Sequence, residues 1–201
     1  MVDVDAIIYI NLAHRLDRKE HVLNEIRKID PELAKVHRVD AVYWPAKGLI
    51  GCTRSHIKAL ELCLEHPEWK KCMILEDDFT FTSTDALSEL LAECPKFDVL
   101  LLGVGRRELK LEEPKRGICR VLASQTASGY IVCGEYILTL LRNFREGLAW
   151  VSAGGVQETF AVDMFWRRLM PGGLWYTHST RIGHQWANYS DIEKTFTNYG
   201  C

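Results

Sequence analysis

The sequence predicts an α/β fold in which a mostly parallel central sheet is flanked by helices. Short apolar runs such as 6–12 and 72–75 are typical of buried strands. Segments with apolar residues at helical spacing lie between such runs, and the stretch from Thr84 to Pro95 is one of them. Alternating strands and helices favour a parallel sheet covered on both faces, because each crossover between parallel strands lays a helix on one face.

The other elements follow from the same two patterns, taken in chain order. Besides the strand that starts at Cys72, we expect strands at 6–12, 36–39, 97–104, 118–123, 130–133 and 174–177. We expect helices from Asp17, where Glu20 completes a capping-box-like pair, from about 57 to 64, from a Thr84 cap, from 137 to Gly147 and over 156–170. The charged segment 106–117 is expected to be a mobile surface loop.

Three consecutive acids, Glu76, Asp77 and Asp78, follow the strand that starts at Cys72. They should lie at the carboxyl edge of the sheet, where folds of this class bind ligands. Three neighbouring carboxylates raise one another's pKa, and a divalent cation such as magnesium, calcium or manganese relieves the repulsion. Solvated turn residues would give the same pattern, so the residues alone leave both interpretations open.

Two further segments have the composition of an anion site. The loop that contains Asn11, Arg15 and Arg18 follows the first strand and could hold an anion or a nucleotide base; it could equally be a solvated loop ahead of a helix. Gly48 and Gly51 precede an expected helix start, where free backbone N–H groups suit a diphosphate. His56 should lie in the first turn of that helix, where a histidine is commonly a structural hydrogen bonder.

Composition narrows the class of protein and the compartment. The 201 residues are 47% hydrophobic and 26% charged, which predicts one soluble globular domain over 1–201, whole or cut from a longer chain. A net charge of −2 gives no basic surface of the size that nucleic acids need, so no nucleic-acid partner is expected. The seven scattered cysteines include no C-x-x-C pair, which argues against zinc and thioredoxin-like chemistry and suits a reducing compartment. Neither a signal peptide nor a membrane span is expected, so we predict a cytoplasmic protein.

Four stretches, in this order and spacing, resemble glycosyltransferase family 25, the lipopolysaccharide-biosynthesis and procollagen galactosyltransferase group. They are Ile10–Leu12 with Arg15, Asp17 and Arg18; Gly48–His56 with Ala59 and Leu60; Ile74–Asp78; and Val162–Asp163. Ser128–Tyr130 and Ser190–Ile192 also agree, so that the resemblance spans about Ile7 to Ile192. Small virus-encoded glycosyltransferases are similar in size, and a viral member would lie in the host cytoplasm.

The resemblance implies a GT-A type fold, a single Rossmann-like domain that binds a nucleotide-sugar across its strand ends. It implies transfer of a sugar, with UDP as the expected carrier, to a hydroxyl of a glycan or glycoprotein, with inversion and with Mn²⁺ or Mg²⁺ as cofactor. In this fold the acid cluster that follows a central strand is the D-x-D motif. Its three positions are occupied here by Glu76, Asp77 and Asp78, and Asp78 is the expected metal ligand. His184 is the candidate for a further ligand from the C-terminal segment, although a histidine satisfied by the protein alone fits the sequence as well.

The remaining roles are carried over from the same family. Asp163 is the candidate general base for the acceptor hydroxyl, or a group that positions the acceptor if the enzyme retains configuration. The donor contacts are Asn11, Leu12, Arg15, Arg18, Ser55, His56, Glu76 and Asp77. Two other classes compete: a non-catalytic module that binds nucleotide-sugars or glycans, and a magnesium-dependent phosphohydrolase. The second needs a nucleophilic aspartate with a lysine nearby, which the residues after Asp78 do not suggest.

Overall fold

A computed structural model describes residues 2–94, 96–105, 109–112, 115–191 and 194–198. Strands β1 to β6 are Ala6–Asn11, Val36–Asp40, Lys71–Glu76, Phe79–Phe81, Val99–Leu101 and Lys110–Leu111. Strands β7 to β12 are Ile118–Ala123, Gly129–Cys133, Trp175–His178, Gly183–Gln185, Asn188–Ser190 and Thr195–Thr197. Helices α1 to α6 are Leu16–Ile26, Gly48–Glu65, Thr84–Glu93, Ile137–Ser152, Gln157–Phe160 and Val162–Phe165, and 3₁₀ turns cover Gly134–Tyr136 and Trp166–Gly172.

Eight strands form one sheet in the order β2-β1-β3-β8-β5-β9-β7-β6. Six of them point the same way, whereas β8 and β7 run against their neighbours. The predicted α/β class with a mostly parallel sheet flanked by helices is therefore confirmed. The two reversed strands make the hydrogen-bonded pairing mixed, a detail that the apolar runs did not reveal.

Two apolar cores lie on opposite faces of the sheet, and strand periodicity divides the residues between them. In β1, Ile8 and Ile10 belong to one core, and Ile7 and Tyr9 to the other. Helices α2 and α4 cover the first face with residues such as Leu60 and Phe144. Helices α1 and α3 cover the second face with residues such as Ile26 and Leu90. The central strands β1, β3, β5 and β8 are buried on both faces, which explains their continuous apolar sequences.

The carboxyl ends of β1 and β3 meet at the point where the connections diverge. Ile10 of β1 is paired with Glu76 of β3 in parallel register. The chain leaves β1 through α1 on one face to reach β2, and then crosses through α2 on the other face to reach β3. Such a switch point leaves a crevice beyond the strand ends, and in doubly wound folds ligands bind there. The acid triplet therefore lies at the predicted edge.

Several predicted helix boundaries are wrong for local reasons. Helix α1 starts at Leu16, and Asp17 does not cap it, because its carboxylate pairs with the Arg15 guanidinium. Helix α3 is capped by Ser83, whose hydroxyl accepts a hydrogen bond from the Ala86 N–H at 3.1 Å, and not by Thr84. Helix α2 already begins at Gly48, so His56 lies in its third turn and not in its first.

The second half of the chain departs further from its periodic pattern. Helix α4 continues past Gly147 to Ser152, and the expected helix over 156–170 is broken into α5, α6 and a 3₁₀ turn. The expected loop 106–117 includes the edge strand β6, which pairs with β7; residues 106–108 and 113–114, like Pro95, lie outside the described residues. In the described part of the chain, no helix has the length and apolar character needed to cross a bilayer.

Candidate active site

A cavity of about 120 Å³ opens at the edge of the sheet where β1 and β3 end. The acids 76–78 form one wall and the first turns of α2 form another. The loop 41–44 closes a third side, and the C-terminal segment 185–191 closes the fourth. The cavity therefore brings together the 11–18 segment, the start of α2 and the acid triplet, which are far apart along the chain.

The two aspartates of the acid triplet lie in the turn between β3 and β4, and both are nearly fully buried. Asp77 Oδ2 accepts a hydrogen bond from Asn11 Nδ2 at 2.8 Å, and its Oδ1 accepts one from Arg18 Nη1 at 3.0 Å. Asp78 is 4% exposed, and its Oδ2 lies 3.2 Å from Arg18 Nη1. Its Oδ1 has no hydrogen-bond partner among the residues that the structure describes. A buried carboxylate oxygen without a partner is costly in a low dielectric medium. Asp78 therefore has an open coordination position, whereas Asp77 is satisfied.

Burial raises the pKa of the Asp78 carboxyl to about 7, and the negative charges of Glu76 and Asp77 add to the effect, while the Arg18 guanidinium opposes it. Burial also raises the pKa of Asp77, against the charge of Arg18 and the hydrogen bond from Asn11. One arginine thus stabilises two carboxylates that repel each other. A divalent cation would stabilise the same pair of charges more strongly.

Glu76 takes part in a hydrogen-bond network on the floor of the cavity. Its Oε1 lies 3.0 Å from His56 Nε2 and 3.7 Å from Cys52 Sγ, and its Oε2 accepts a hydrogen bond from Gln185 Nε2 at 3.3 Å. His56 is fully buried, and its Nδ1 lies 3.3 Å from the Tyr130 hydroxyl. Burial raises the pKa of the Glu76 carboxyl, but the hydrogen bond and charge of His56 outweigh it, so the net shift is downward. Glu76 is therefore held as a carboxylate.

Asp163 lies behind this network and is connected to it through Thr126 and Gln185. Its Oδ2 accepts a hydrogen bond from the Thr126 backbone N–H at 3.1 Å, and the Thr126 hydroxyl donates to Gln185 Oε1 at 3.1 Å. Thr126 has φ +76°, which is an uncommon backbone conformation for a β-branched residue. Burial raises the pKa of Asp163, the Thr126 N–H opposes the shift, and the charge of Glu76 adds to it. A carboxylate with a raised pKa is suited to accept a proton.

Two arginines of the 11–18 segment hold the C-terminal segment over the cavity. Arg15 donates to the Asp191 carboxylate and to the Tyr189 carbonyl at 3.1 Å. Arg18 donates to Asn188 Oδ1 at 3.0 Å and to the Tyr189 carbonyl at 3.0 Å, in addition to its contacts with the aspartates. Arg18 therefore joins the two aspartates to residues 188–189 of the C-terminal segment, and Arg15 serves as a clamp at the rim.

The loop 41–44 is fixed against α2 by a close backbone contact. The Ser55 hydroxyl accepts a hydrogen bond from the Val42 N–H at 2.8 Å and donates to the Gly51 carbonyl at 2.7 Å. A Cβ atom at Gly51 would lie 2.3 Å from the Val42 carbonyl oxygen, so only glycine allows this approach. The loop thereby presents the half-exposed rings of Tyr43 and Trp44 at the cavity.

The sequence-predicted site residues divide into three groups by position. Those that line the cavity are Leu12, Arg18, Ser55, His56, Glu76, Asp77 and Asp78. Asn11 donates a hydrogen bond to Asp77 and Arg15 donates one to Asp191, and both acceptors line the cavity. Asp163 is linked to the lining residue Gln185 through Thr126. The structure does not bring His184 to the cavity; its Nδ1 lies 3.1 Å from the Thr82 hydroxyl. Its role as a metal ligand stays a prediction.

The sequence analysis did not identify Gln185, the neighbour of His184, as a site residue. Gln185 follows it on β10, and because side chains alternate along a strand it points the other way, into the cavity. Cys52 also lines the cavity, four residues before His56 on α2. The i, i+4 spacing of Cys52 and His56 was the available signal for a shared helix face.

The side chains fit a divalent cation at Asp78. The unpartnered Oδ1 of Asp78 lies in a wall that also contains Glu76 and Asp77, and carboxylate oxygens are the ligands that Mg²⁺ and Mn²⁺ prefer. Arg18 now neutralises this wall, so a cation would compete with its guanidinium.

Residues 45–128 match the family described as Glycosyltransferase family 25 (LPS biosynthesis protein). The matched segment contains α2 and the acid triplet. The predicted resemblance and the predicted enzyme class are thereby confirmed. No curated protein sequence matches the chain.

Solved structures with very different sequences share the fold. A glycosyltransferase involved in the glycosylation of the major capsid of PBCV-1 has a TM-score of 0.55 and 9% identity, covering 94% of this chain and 95% of its own. Mannose-1-phosphate geranyltransferase from Thermus thermophilus has a TM-score of 0.54 and 10% identity, over 90% of this chain and 75% of its own. A197 from STIV has a TM-score of 0.51 and 12% identity, over 96% of this chain and 94% of its own. The predicted GT-A type, Rossmann-like fold is confirmed.

Proposed function

We propose that this chain is a metal-dependent glycosyltransferase. It moves a sugar from a nucleotide-sugar, with UDP as the expected nucleotide, to a hydroxyl of a glycan or glycoprotein, with inversion at the sugar carbon. The observation that carries the proposal is the buried carboxylate oxygen Oδ1 of Asp78, which has no hydrogen-bond partner among the described residues. Asp78 lines a cavity at the switch point of the sheet, beside the Arg18 guanidinium. The family 25 match at residues 45–128 supports the reaction class.

Asp78 would hold Mn²⁺ or Mg²⁺ through Oδ1, with water and donor oxygens completing the coordination. A bound cation would supply Lewis-acid stabilisation of the negative charge on the departing diphosphate. Arg18 lines the same cavity, and its guanidinium can donate two hydrogen bonds to phosphate oxygens once the acids are otherwise neutralised. Glu76, held as a carboxylate by His56, can accept hydrogen bonds from sugar or ribose hydroxyls.

Asp163 accepts the proton of the acceptor hydroxyl in this proposal. As the acceptor oxygen forms a bond to the sugar carbon, the bond from that carbon to the phosphate oxygen breaks, and the diphosphate leaves with the electron pair. The raised pKa of Asp163 brings its basicity closer to neutral pH, and the Thr126 N–H fixes the orientation of the carboxylate. Thr126 and Gln185 connect Asp163 to Glu76, so base and donor share one rigid network.

The cavity volume gives the proposal a conformational requirement. About 120 Å³ is smaller than the roughly 300–1,000 Å³ of usual small-molecule clefts. The C-terminal segment 185–191 forms one wall, and its residues 188–191 are held by the exchangeable contacts of Arg15 and Arg18. We therefore expect donor binding to shift this segment as the arginines turn towards the donor.

The compartment forms part of the proposal. None of the six cysteines in the described ranges forms a disulfide. Thiols persist in a reducing compartment, so we propose a cytoplasmic enzyme, in the host cytoplasm if the chain is viral. The shared fold with a PBCV-1 glycosyltransferase is consistent with a viral source.

A screen of nucleotide-sugars by thermal denaturation, with and without Mn²⁺, tests the function. The true donor should raise Tm in the presence of Mn²⁺ and far less without it, because a ligand that binds only the folded state stabilises it by mass action. The identified donor should then be turned over, by transfer or slow hydrolysis. Asp78→Ala should abolish both effects, and Asp85→Asn, which changes an exposed acid of α3, is the matched control. His184→Ala tests the predicted further ligand.

Two outcomes would contradict the proposal. Wild-type turnover by Asp78→Ala would exclude the metal role of this residue. Donor binding without turnover, across a broad panel of acceptors, would favour the non-catalytic binding module instead.

A further inference from the structure

A second cluster of metal-binding atom types lies on the floor of the cavity. Cys52 and His56 are four residues apart on α2 and so project from the same helix face, towards Glu76 at the end of β3. One atom of each, Sγ, a ring nitrogen and a carboxylate oxygen, lies within 4.8 Å of the other two. All three side chains line the cavity. The acidic site at Asp78, by contrast, offers carboxylate oxygens and neither sulfur nor nitrogen.

Two distances in the cluster are close to the edges of a zinc coordination tetrahedron. Zinc bonds of about 2.0–2.3 Å place neighbouring ligand atoms about 3.3–3.7 Å apart. Glu76 Oε1 lies 3.0 Å from His56 Nε2 and 3.7 Å from Cys52 Sγ. The third distance, from the sulfur to the ring nitrogen, is at most 4.8 Å, so the three atoms can draw together around an ion.

The outer contacts of the cluster are those that fixed metal ligands usually have. His56 Nδ1 lies 3.3 Å from the Tyr130 hydroxyl, and Glu76 Oε2 accepts from Gln185 Nε2 at 3.3 Å. A ligating histidine almost always uses its other ring nitrogen in a hydrogen bond, which fixes the ring and its tautomer. Tyr130 is fully buried at the centre of the sheet, so this contact is rigid.

We propose that Cys52, His56 and Glu76 form a binding site for a thiolate-preferring divalent ion of the Zn²⁺ class, distinct from the oxygen-ligand site at Asp78. Sulfur, nitrogen and one carboxylate oxygen select zinc over manganese or magnesium, which favour oxygen ligands alone. The regulatory consequence rests on the proposed function: an ion here takes His56 and Glu76 out of donor binding and blocks the floor of the cavity. Zinc and the donor would then exclude each other.

Binding requires the sulfur to lose its proton, and the Cys52 thiol releases it to solvent as the sulfur–metal bond forms. His56 binds the ion through Nε2 as the neutral ring, with its remaining proton on Nδ1, where it can be donated to the Tyr130 hydroxyl. Any second ring proton leaves to solvent with that of Cys52. The Glu76 carboxylate exchanges its hydrogen bond from Nε2 for the metal.

Cobalt(II) is the probe for a test, because a cobalt–thiolate bond gives a near-ultraviolet charge-transfer absorption. The chelator-treated wild-type chain should show this absorption with one equivalent of Co²⁺ and lose it on addition of Zn²⁺. Cys52→Ala should lack this absorption and should bind Zn²⁺ at least about 100-fold more weakly. Removal of a residue that only hydrogen-bonds to a metal ligand weakens binding by up to about 100-fold, and loss of the ligand itself should cost at least as much. Cys133→Ala, which changes another partly buried free thiol, should behave as wild type.

A second variant keeps the test independent of the folding of Cys52→Ala. Tyr130→Phe removes only the outer hydroxyl, and it should weaken Zn²⁺ binding by about 10–100-fold. Equal thiolate absorption in wild type and Cys52→Ala, or no such absorption in wild type, would overturn the site. Asp78→Asn should retain the absorption, so that failure of the zinc site and failure of the proposed Mn²⁺ site give different results.

Discussion

Replacement of Arg18 by glutamine should tighten the binding of Mn²⁺. Arg18 Nη1 lies 3.0 Å from Asp77 Oδ1 and 3.2 Å from Asp78 Oδ2, so in the metal-free protein the arginine occupies the charge position that a cation needs. Glutamine keeps a polar side chain but removes the competing charge. In the proposed enzyme the cation must displace this contact before it binds Asp78.

The size of the effect follows from the contact that is lost. Two unit charges about 4 Å apart interact by about 4 kcal/mol at an effective dielectric constant of about 20. Solvation of the released guanidinium offsets part of this, which leaves about 1.5–3 kcal/mol, the usual net range for hydrogen bonds to charged groups. At 1.4 kcal/mol per factor of ten, Arg18→Gln should lower the Kd for Mn²⁺ by about 10- to 100-fold.

The assay is isothermal titration of the metal-free protein with Mn²⁺ at pH 8. The pH matters because the charge of Arg18 lowers the pKa of Asp78, so its loss raises that pKa above about 7 and lets protons compete more strongly at neutral pH. Arg15→Gln is the matched control, since Arg15 holds the same C-terminal segment but does not contact the two aspartates. Equal Mn²⁺ affinity in wild type and Arg18→Gln, or the same gain in Arg15→Gln, would refute the competition.

Three further predictions address the acids and the loop. Because the pKa of Asp78 is raised from 3.8 to about 7, folding favours its protonated form, and its contribution to the stability of the metal-free protein should fall as pH rises from about 4 to 7. At pH 8, Asp78→Asn should therefore raise the free energy of unfolding by about 1–3 kcal/mol in urea titrations. A loss of stability in this variant would contradict the burial argument. Asp163→Asn should lower kcat by about 10²–10⁴-fold with unchanged donor affinity by calorimetry, and equal losses in both would argue against the base assignment. Gly51→Ala should destabilise the protein by about 1–3 kcal/mol in thermal and urea unfolding, because its Cβ would lie 2.3 Å from the Val42 carbonyl oxygen. Gly172→Ala is the control and should leave stability unchanged, because no described atom lies within 4 Å of the added Cβ.

The fold could be predicted because its strands are buried on both faces. Ile8 and Ile10 face one core and Ile7 and Tyr9 the other, so β1 is a continuous apolar sequence, and helical spacing marks the elements between such strands. The reversal of β8 could not be predicted, since a buried antiparallel strand has the same composition as a parallel one. The break between α5 and α6 was also missed, because no proline or glycine lies between Phe160 and Val162 to indicate it.

The site could be predicted only where residues follow the ends of core strands. Glu76 and Asp78 lie at the expected edge because β3 is anchored by its buried residues. The choice between His184 and Gln185 depends on the register of β10 against β4, which no apolar pattern determines. A shift of one residue reverses the direction of every side chain, so the sequence alone does not determine which of the two residues points into the cavity.

The most direct test of the proposed cation site is anomalous diffraction at the manganese edge from crystals grown with Mn²⁺ and UDP. We expect an anomalous peak about 2.0–2.3 Å from Asp78 Oδ1 that also contacts the UDP diphosphate, with Arg18 turned away from the aspartates. UDP bound in the cavity while Arg18 keeps its contacts to Asp77 and Asp78, with no manganese at Asp78, would contradict the metal-dependent mechanism.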